Sequence, residues 1–535
     1  LNAPSAIVLN ALFEHARKHP ERWYIIDDST HFDIGSQLDS NMLLRITGQM
    51  QIPENVVLLY GLIKNIVCPD LELSFLINAP ERWVEGFDVA AELTYSRIPY
   101  PSQLYYEWLF DDLLSFPFPG QLEGKQNEPG TSNSARLRQF RKDFIEASKD
   151  PSFAPKPIST KDKDLIRFDY GEFEHSVPDL LVKGLIKGFV EPHSDVLAET
   201  VKYRITSYLA HTRRAMVVPD RIALAQGAFP LFGALIRALR ARLGRRPRVA
   251  IPDGSYGPLY PMLLYHGAEI VPIETVADNG FAVTPEMVKA LKEKPDLLWL
   301  TQPGNPSGLL YESSAVSNLL KICAEKEIYL LADEIFFLLS DYRLGDWTPH
   351  YLSFGSHLGD SQLSKYLFLV DGASKAYAAG GLRSGFLVSP DREWSRAIQS
   401  HLDVPPAAIL RACDNLYSAF LEEAPHGMID VSEARDELLA FLNQARRELS
   451  DHRKALTKLL RQHGLDDGLD TPYRGGLFLL ARLSPERDRL AVEKKLLINS
   501  GAWSRTGDWS RICFSIPPAR FNRGLERLTQ FLGNQ

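Results

Sequence analysis

Between residues 221 and 370, short apolar runs alternate with longer amphipathic stretches, and no other feature of the chain limits its fold as much. The runs are Arg221–Ala225, Arg248–Ile251, Glu269–Ile273, Leu297–Leu300, Ile328–Ala332 and Tyr366–Val370. Stretches of helical periodicity such as Phe229–Leu243 and Glu312–Lys326 separate them. Runs of roughly four to eight residues that are apolar throughout read as strands buried on both faces, and strands joined through helices run mostly parallel. The texture changes after residue 430. A long helical pattern over Asp436–Gln462 is followed by strand-like Leu477–Leu483 and Arg511–Ser515 and a closing helix, which predicts a smaller α+β domain.

At roughly 150 residues per domain, a chain of 535 residues has room for three to four domains. The stretch 121–163 is rich in Gly, Pro, Ser, Asn and charge with weak apolar periodicity, so it reads as a linker. The expected divisions are therefore 1–120, the linker 121–163, a large domain 164–430 and a small one 431–535. A net charge of −7 offers no electrostatic footprint for nucleic acid or an anionic membrane. The longest apolar stretches, such as Val56–Ile63, fall far short of the roughly 20 residues that cross a bilayer. Cys68, Cys323, Cys413 and Cys513 lie far apart, so neither a disulfide scaffold nor a cysteine-rich metal site is expected, and a cytoplasmic location follows. The chain opens at Leu1, which reads as processing or as a piece of something longer.

In an open α/β sheet, ligands sit at the carboxyl ends of the strands. After Ala225 come Gln226-Gly227-Ala228-Phe229, a plain turn or a helix N-terminus that takes an anion. After Leu300 come two prolines and two glycines that fix the loop around Asn305. Asp333 emerges from an apolar strand, where a carboxylate needs a cationic partner. After Val370 come Ser374, Lys375 and, on a glycine-rich segment, Arg383. A lysine there is a desolvated amine suited to Schiff-base formation, and an arginine there can grip a phosphate.

In this order the motifs NPSG at Asn305, ADE at Asp333 and SKxxxxxGxRxG from Ser374 resemble the class I/II aminotransferase superfamily, the fold-type-I pyridoxal-phosphate enzymes. The resemblance covers roughly Leu165 to the C-terminus. It implies an α/β large domain with a mostly parallel sheet, a small α+β domain and pyridoxal 5′-phosphate as cofactor. It further implies that Lys375 forms the Schiff base and moves the substrate's Cα proton, that Asp333 pairs with the ring nitrogen, and that Asn305 bonds the ring oxygen. Arg383, Ser374 and the amides of Gly227, Ala228 and Phe229 would hold the phosphate, and Tyr256 would stack on the ring unless it is core packing. Arg511 would bind the substrate α-carboxylate unless it is a surface ion pair, and Gly171 would line that side of the pocket. Three departures stand out. Phe336 replaces the usual tyrosine three residues after Asp333, Gly372 replaces a small hydroxyl residue, and no tyrosine matches the one that crosses to the partner's phosphate.

The first domain reads as a partial, degenerate copy of the large one. His19–Asp28 parallels Glu325–Asp333, and Val57–Lys64 parallels Leu369–Lys375 in texture. Phe75-Leu76 then matches Phe386-Leu387, which puts Glu72 in the place of Arg383, where a carboxylate repels phosphate. The copy is expected to lack everything ahead of its Asp28 strand. Over Asp28–Phe116 the chain also resembles the region that follows the methyltransferase domain in plant-type methionine S-methyltransferases. No glycine-rich S-adenosylmethionine loop occurs in the 535 residues.

The resemblance implies a homodimeric enzyme acting at Cα of an α-amino acid, with transamination as the outcome. A second expectation is elimination or replacement at Cγ of a sulfonium amino acid such as S-adenosylmethionine or S-methylmethionine, with Tyr256, Tyr260, Phe336 and Tyr377 either aromatic partners for the sulfonium or hydrophobic packing. A third is a non-catalytic regulatory module of a methionine S-methyltransferase-like protein.

Overall fold

The computed structural model describes residues 6–28, 52–61, 74–80, 83–84, 162–188, 195–340, 352–422, 430–466 and 474–533. The chain divides into two compact units, one formed by Leu1–Glu92, Ser96–Gln139 and Phe189–His193 and the other by the remainder.

Among the described residues the first unit holds a helix, Ala6–Lys18, and strands β1 (Tyr24–Asp28), β2 (Val56–Gly61) and β3 (Ser74–Ile77). β1 pairs parallel with β2, and β2 antiparallel with β3. Its core gathers Phe13, Ala16, Ile52 and the apolar run Val56–Leu58. The Asn55 side-chain amide ties the helix end to β2, donating to the carbonyls of Ala16, His19 and Arg22 at 2.9, 3.1 and 2.8 Å. The helix corrects the expectation that the copy begins at its Asp28 strand. Lys64 and Glu72 lie outside the described residues.

The second unit opens with β4 (Ile166–Arg167) and carries a seven-stranded sheet. Its strands are β5 (Ile222–Ala225), β6 (Arg248–Pro252), β7 (Glu269–Ile273), β8 (Leu297–Thr301), β9 (Tyr329–Asp333), β10 (Leu367–Asp371) and β11 (Gly385–Val388). Their spatial order is β5-β11-β10-β9-β8-β6-β7, parallel except that β11 runs against both β10 and β5. The apolar runs match these strands to within two residues, because the strands are predominantly apolar and all but the edge strand β7 are largely buried. β11 was not foreseen: four residues directly after a glycine-rich loop carry no periodicity of their own.

The C-terminal portion packs the long helix Val431–Gln462 beside two small sheets. β12 (Phe478–Ala481) pairs antiparallel with β14 (Ser510–Cys513), and β13 (Leu496–Leu497) pairs parallel with β4. Residues 166–175 therefore run along this portion as an added edge. The Phe168 amide donates to Leu497 O at 2.8 Å and the Cys513 amide to Phe168 O at 2.7 Å. Gly171, three residues on, meets the segment that follows β10 through its carbonyl, which accepts from Lys375 Nζ.

Candidate active site

The anion side of the site is built from backbone. Gly227 caps the helix Ala228–Leu243 at φ 98°, a left-handed conformation that glycine adopts without strain. A Cβ at Gly227 would lie 2.9 Å from Arg383 Nη2, and one at Gly385 would lie 2.7 Å from the Gly227 carbonyl carbon. The Arg383 guanidinium thus rests on a helix N-terminus, and Arg383 itself holds a left-handed φ of 58° to put it there. The Gly227 amide donates to Ala225 O at 2.8 Å, which leaves those of Ala228 and Phe229 at the head of the helix. Helix N–H groups and a guanidinium converging on one point favour a phosphate. Gly372 is explained by the same crowding: a Cβ there would lie 2.6 Å from Ser384 O, so a hydroxyl residue does not fit. Ser374 Oγ donates to Ser384 O at 3.3 Å.

Lys375 stands on the short helix Ala373–Ala376 that follows β10. Its Nζ donates to Gly171 O at 2.8 Å. Burial lowers its pKa to about 8 against the pull of Glu172, with Arg383 and Arg511 adding to the fall. Asp333, at the end of β9, sits opposite Val370 in the parallel register. Burial raises its carboxyl to about 7; the Ile335 amide works against that rise, while Asp371 and Glu334 add to it. That amide bond is long, 3.3 Å, and among the described residues Asp333 makes no ion pair. It is a buried carboxylate in want of a cation.

Arg511, on β14, lies over the rings of Phe478 at 4.5 Å and Trp503 at 4.1 Å. Its Nη1 donates to Asn305 Oδ1 at 3.0 Å and its Nη2 to Asp169 O at 2.7 Å, while Nε is buried without a hydrogen bond. The residue is 2% exposed, so the surface ion-pair reading fails. A Cβ on Gly171 would meet the Phe478 ring at 3.2 Å and Arg511 Nη1 at 3.4 Å, which keeps that crossing point small. Tyr256 is only partly buried, and it stands edge-on to Phe229 at 6.4 Å and to Trp503 at 5.4 Å rather than in the core.

One set of residues resolves toward the packing alternative, and another was missed. Tyr260 is buried, with its hydroxyl on Pro252 O at 2.9 Å and its ring under Arg505 at 3.6 Å. Tyr377 is buried and stacks on Phe441 at 6.5 Å, and Phe336 is buried edge-on to Phe478 at 5.2 Å. Of the four aromatic residues proposed to face a sulfonium, only Tyr256 keeps that part. Trp503, Phe478 and Asn499, whose amide donates to Asp169 O at 2.8 Å, shape the Arg511 site instead. Phe478 and Asn499 act on segments remote in sequence, and Trp503, though near Arg511 along the chain, stands in no motif that marks its contact.

Comparison with known proteins gives the family and the fold. Residues 187–528 match the family model described as aminotransferase class I and II. The methionine S-methyltransferase of Arabidopsis thaliana is 22% identical over 562 aligned residues, covering 99% of this chain and 50% of that protein. That of Zea mays is also 22% identical, over 95% of this chain and 47% of the relative, so the chain spans about half the length of these relatives. The aspartate aminotransferase of Bacillus subtilis is 26% identical over 43% of this chain and 58% of its own. Among solved structures, an aminotransferase from Mycobacterium tuberculosis superposes with a TM-score of 0.60 at 20% identity, over 76% of this chain and 100% of that one. The Thermus thermophilus aspartate aminotransferase with maleate gives 0.58 at 19% identity, over 75% and 97%. These structures share the fold.

Proposed function

The chain belongs to the aminotransferase class I and II family, whose cofactor is pyridoxal 5′-phosphate, and on that premise we propose that it acts at the α-carbon of an α-amino acid, with transamination as its reaction. One observation carries the reading: Arg511 is a buried guanidinium with an unbonded Nε and, among the described residues, no ion pair. A buried cation of this kind calls for an anion, and a substrate α-carboxylate supplies one.

The residues fit the cofactor. Arg383 and the amides of Ala228 and Phe229 would hold the phosphate in the cradle that a Cβ at Gly227 would fill. Asp333 would meet the ring nitrogen, and Asn305, whose Oδ1 is engaged by Arg511, would offer its amide to the ring oxygen. Tyr256 would supply the ring face. When bound, pyridoxal phosphate supplies an electrophilic aldehyde and an electron-withdrawing ring. The chain's own residues do the rest. Arg511 fixes the α-carboxylate, and the Gly171 carbonyl orients the Lys375 amine. Lys375 Nζ, with a pKa of about 8, takes the substrate's Cα proton and returns it. Asp333, when ionised, would favour a proton on the ring nitrogen. A homodimer is part of the same reading.

The similarity to methionine S-methyltransferases over nearly the whole chain favours a second reading on the same cofactor, elimination or replacement at Cγ of S-adenosylmethionine or S-methylmethionine. Glu172 is the largest charged influence on Lys375, and its negative charge would also attract a sulfonium there. Loaded protein is mixed with a panel of amino acids while absorbance is followed. Ordinary amino acids that change the spectrum and release a 2-oxo acid support transamination. A response confined to sulfonium amino acids, with thioether release, replaces it with the second reading, and no response to any amino acid defeats both.

A further inference from the structure

Arg213 ends the helix Asp195–Arg213 and is wholly buried. Its Nε donates to Glu334 Oε2 at 2.8 Å and its Nη2 to Asp371 Oδ2 at 2.9 Å, and its guanidinium lies 4.5 Å from the Phe337 ring centre. Tyr208, on the same helix, donates its hydroxyl to Asp371 Oδ2 at 2.8 Å. Asp371 Oδ1 accepts the Gly372 amide at 2.7 Å, at the start of the segment that carries Lys375. Glu334 directly follows Asp333; its amide donates to Val370 O at 2.9 Å, and its carboxylate takes Ser353 Oγ at 2.6 Å and the Phe354 amide at 2.8 Å. One buried guanidinium therefore joins the end of β9 to the end of β10, the two strand ends that present Asp333 and Lys375.

A buried ionic cluster is a poor way to gain stability, since apolar side chains of the same volume do as well or better. What it does supply is charge at a fixed place. We propose that Arg213, Asp371 and Tyr208 form a positioning array that staples β9 to β10 and sets the negative potential at Asp333; this rests on the cofactor reading above. Glu334 and Asp371 both pair with the single guanidinium of Arg213, and both still act on Asp333 as negative charges, against the positive pull of Lys375; that negative potential favours protonated groups on the bound cofactor. Tyr377 and Tyr417 face Asp371 as well, and burial keeps both phenols neutral, as it does Tyr208. Asp371 itself, raised to about 6 mainly by burial, is ionised at neutral pH.

The test is a pH titration of the absorbance of the bound chromophore in protein loaded with pyridoxal phosphate. Asp371→Asn removes a negative charge and lowers the midpoint by roughly one pH unit, the effect of a unit charge several ångströms away at an effective dielectric near 20. Arg213→Met removes a positive charge and does not follow it downward. A loosened site would move both variants the same way, so a fall in both overturns the proposal, as does an unmoved midpoint in Asp371→Asn. If Arg213→Met does not fold, Tyr208→Phe takes its place: loss of that donor weakens the charge on Asp371 and lowers the midpoint by less than Asp371→Asn, and a larger or opposite shift overturns the proposal. Wild-type protein that takes up no pyridoxal phosphate defeats the cofactor reading itself. A wild type that loads and titrates beside an unmoved Asp371→Asn defeats only the array.

Discussion

In the second unit Asp333 lies opposite Val370 on its parallel neighbour, and Val370 opposite Leu387 on the antiparallel one. In the first unit Asp27, Leu59 and Leu76 stand in the same relation. The next pair outward is Asp371 opposite Phe386 in one and Tyr60 opposite Phe75 in the other. A helix leads into each trio, Ser313–Glu325 ahead of β9 and Ala6–Lys18 ahead of β1. The register also corrects the alignment read from sequence: Asp27, not Asp28, corresponds to Asp333, and Asp28 then corresponds to Glu334. Two adjacent acidic residues left the sequence ambiguous by one, and a one-residue slip would turn every side chain of the strand to the other face. The two trios teach that strand order and register rest on apolar pattern, whereas cofactor chemistry rests on single residues at the rim. Tyrosine stands in the first unit where Asp371 receives Arg213 in the second.

The largest effect is expected at the two lysines. Borohydride reduction of loaded protein fixes the cofactor on Lys375; Lys375→Ala abolishes the adduct, and Lys64→Ala leaves it complete. Peptide mapping reads the outcome. An adduct on Lys64 would reverse the roles of the two trios.

Next comes Arg511, for which the first unit offers no counterpart among the described residues. Arg511→Gln keeps the stacking volume between Phe478 and Trp503 but loses the charged fork. Two charge-assisted hydrogen bonds are worth about 3 to 4 kcal/mol together, so kcat/KM for the amino acid falls roughly 100- to 1000-fold. Cofactor uptake stays within about threefold, since Arg511 lies on the substrate side. An equal loss of both would assign Arg511 to holding the cofactor loops together.

These contrasts also mark what could be read in the sequence. The strands β5 to β10 were legible because each is predominantly apolar, and Asn305, Asp333, Lys375 and Arg383 because each stands at the end of such a strand or on the segment after it. β11 was hidden by its brevity. Trp503 and Phe478 were invisible because stacking on Arg511 joins segments about 25 residues apart by a contact, not by a spacing. Tyr260 and Tyr377 stayed open between site and packing for the converse reason: they are near the motifs in sequence, and only the fold turns both rings into the core.

The pH dependence of cofactor uptake is a smaller effect. Burial brings Lys375 from the usual lysine range down to about 8, so the neutral amine predominates above that pH and is lost as pH falls through it. Uptake of pyridoxal phosphate by the unloaded protein should rise roughly tenfold per unit up to about pH 8 and then level off. Stopped-flow absorbance measures it. A rise that continues to pH 10 would mean that the amine is solvated, as an exposed lysine is.

The smallest effect on the site belongs to the first unit and bears most directly on the contrast between scaffold and chemistry. Leu58 is fully buried at the centre of β2, with Ile26 opposite on one side and Ile77 on the other. Leu58→Ala removes methyl groups from a packed trio and costs about 2 to 5 kcal/mol, which hydrogen exchange of the β1 and β2 amides would register as lost protection. If the first unit keeps only the strand plan, the chromophore's titration midpoint stays where it is in the wild type, while Asp371→Asn moves it. If Leu58→Ala moves the midpoint as far as Asp371→Asn does, packing in the first unit reaches the cofactor, and the division between a trio that preserves register and a trio that performs chemistry fails.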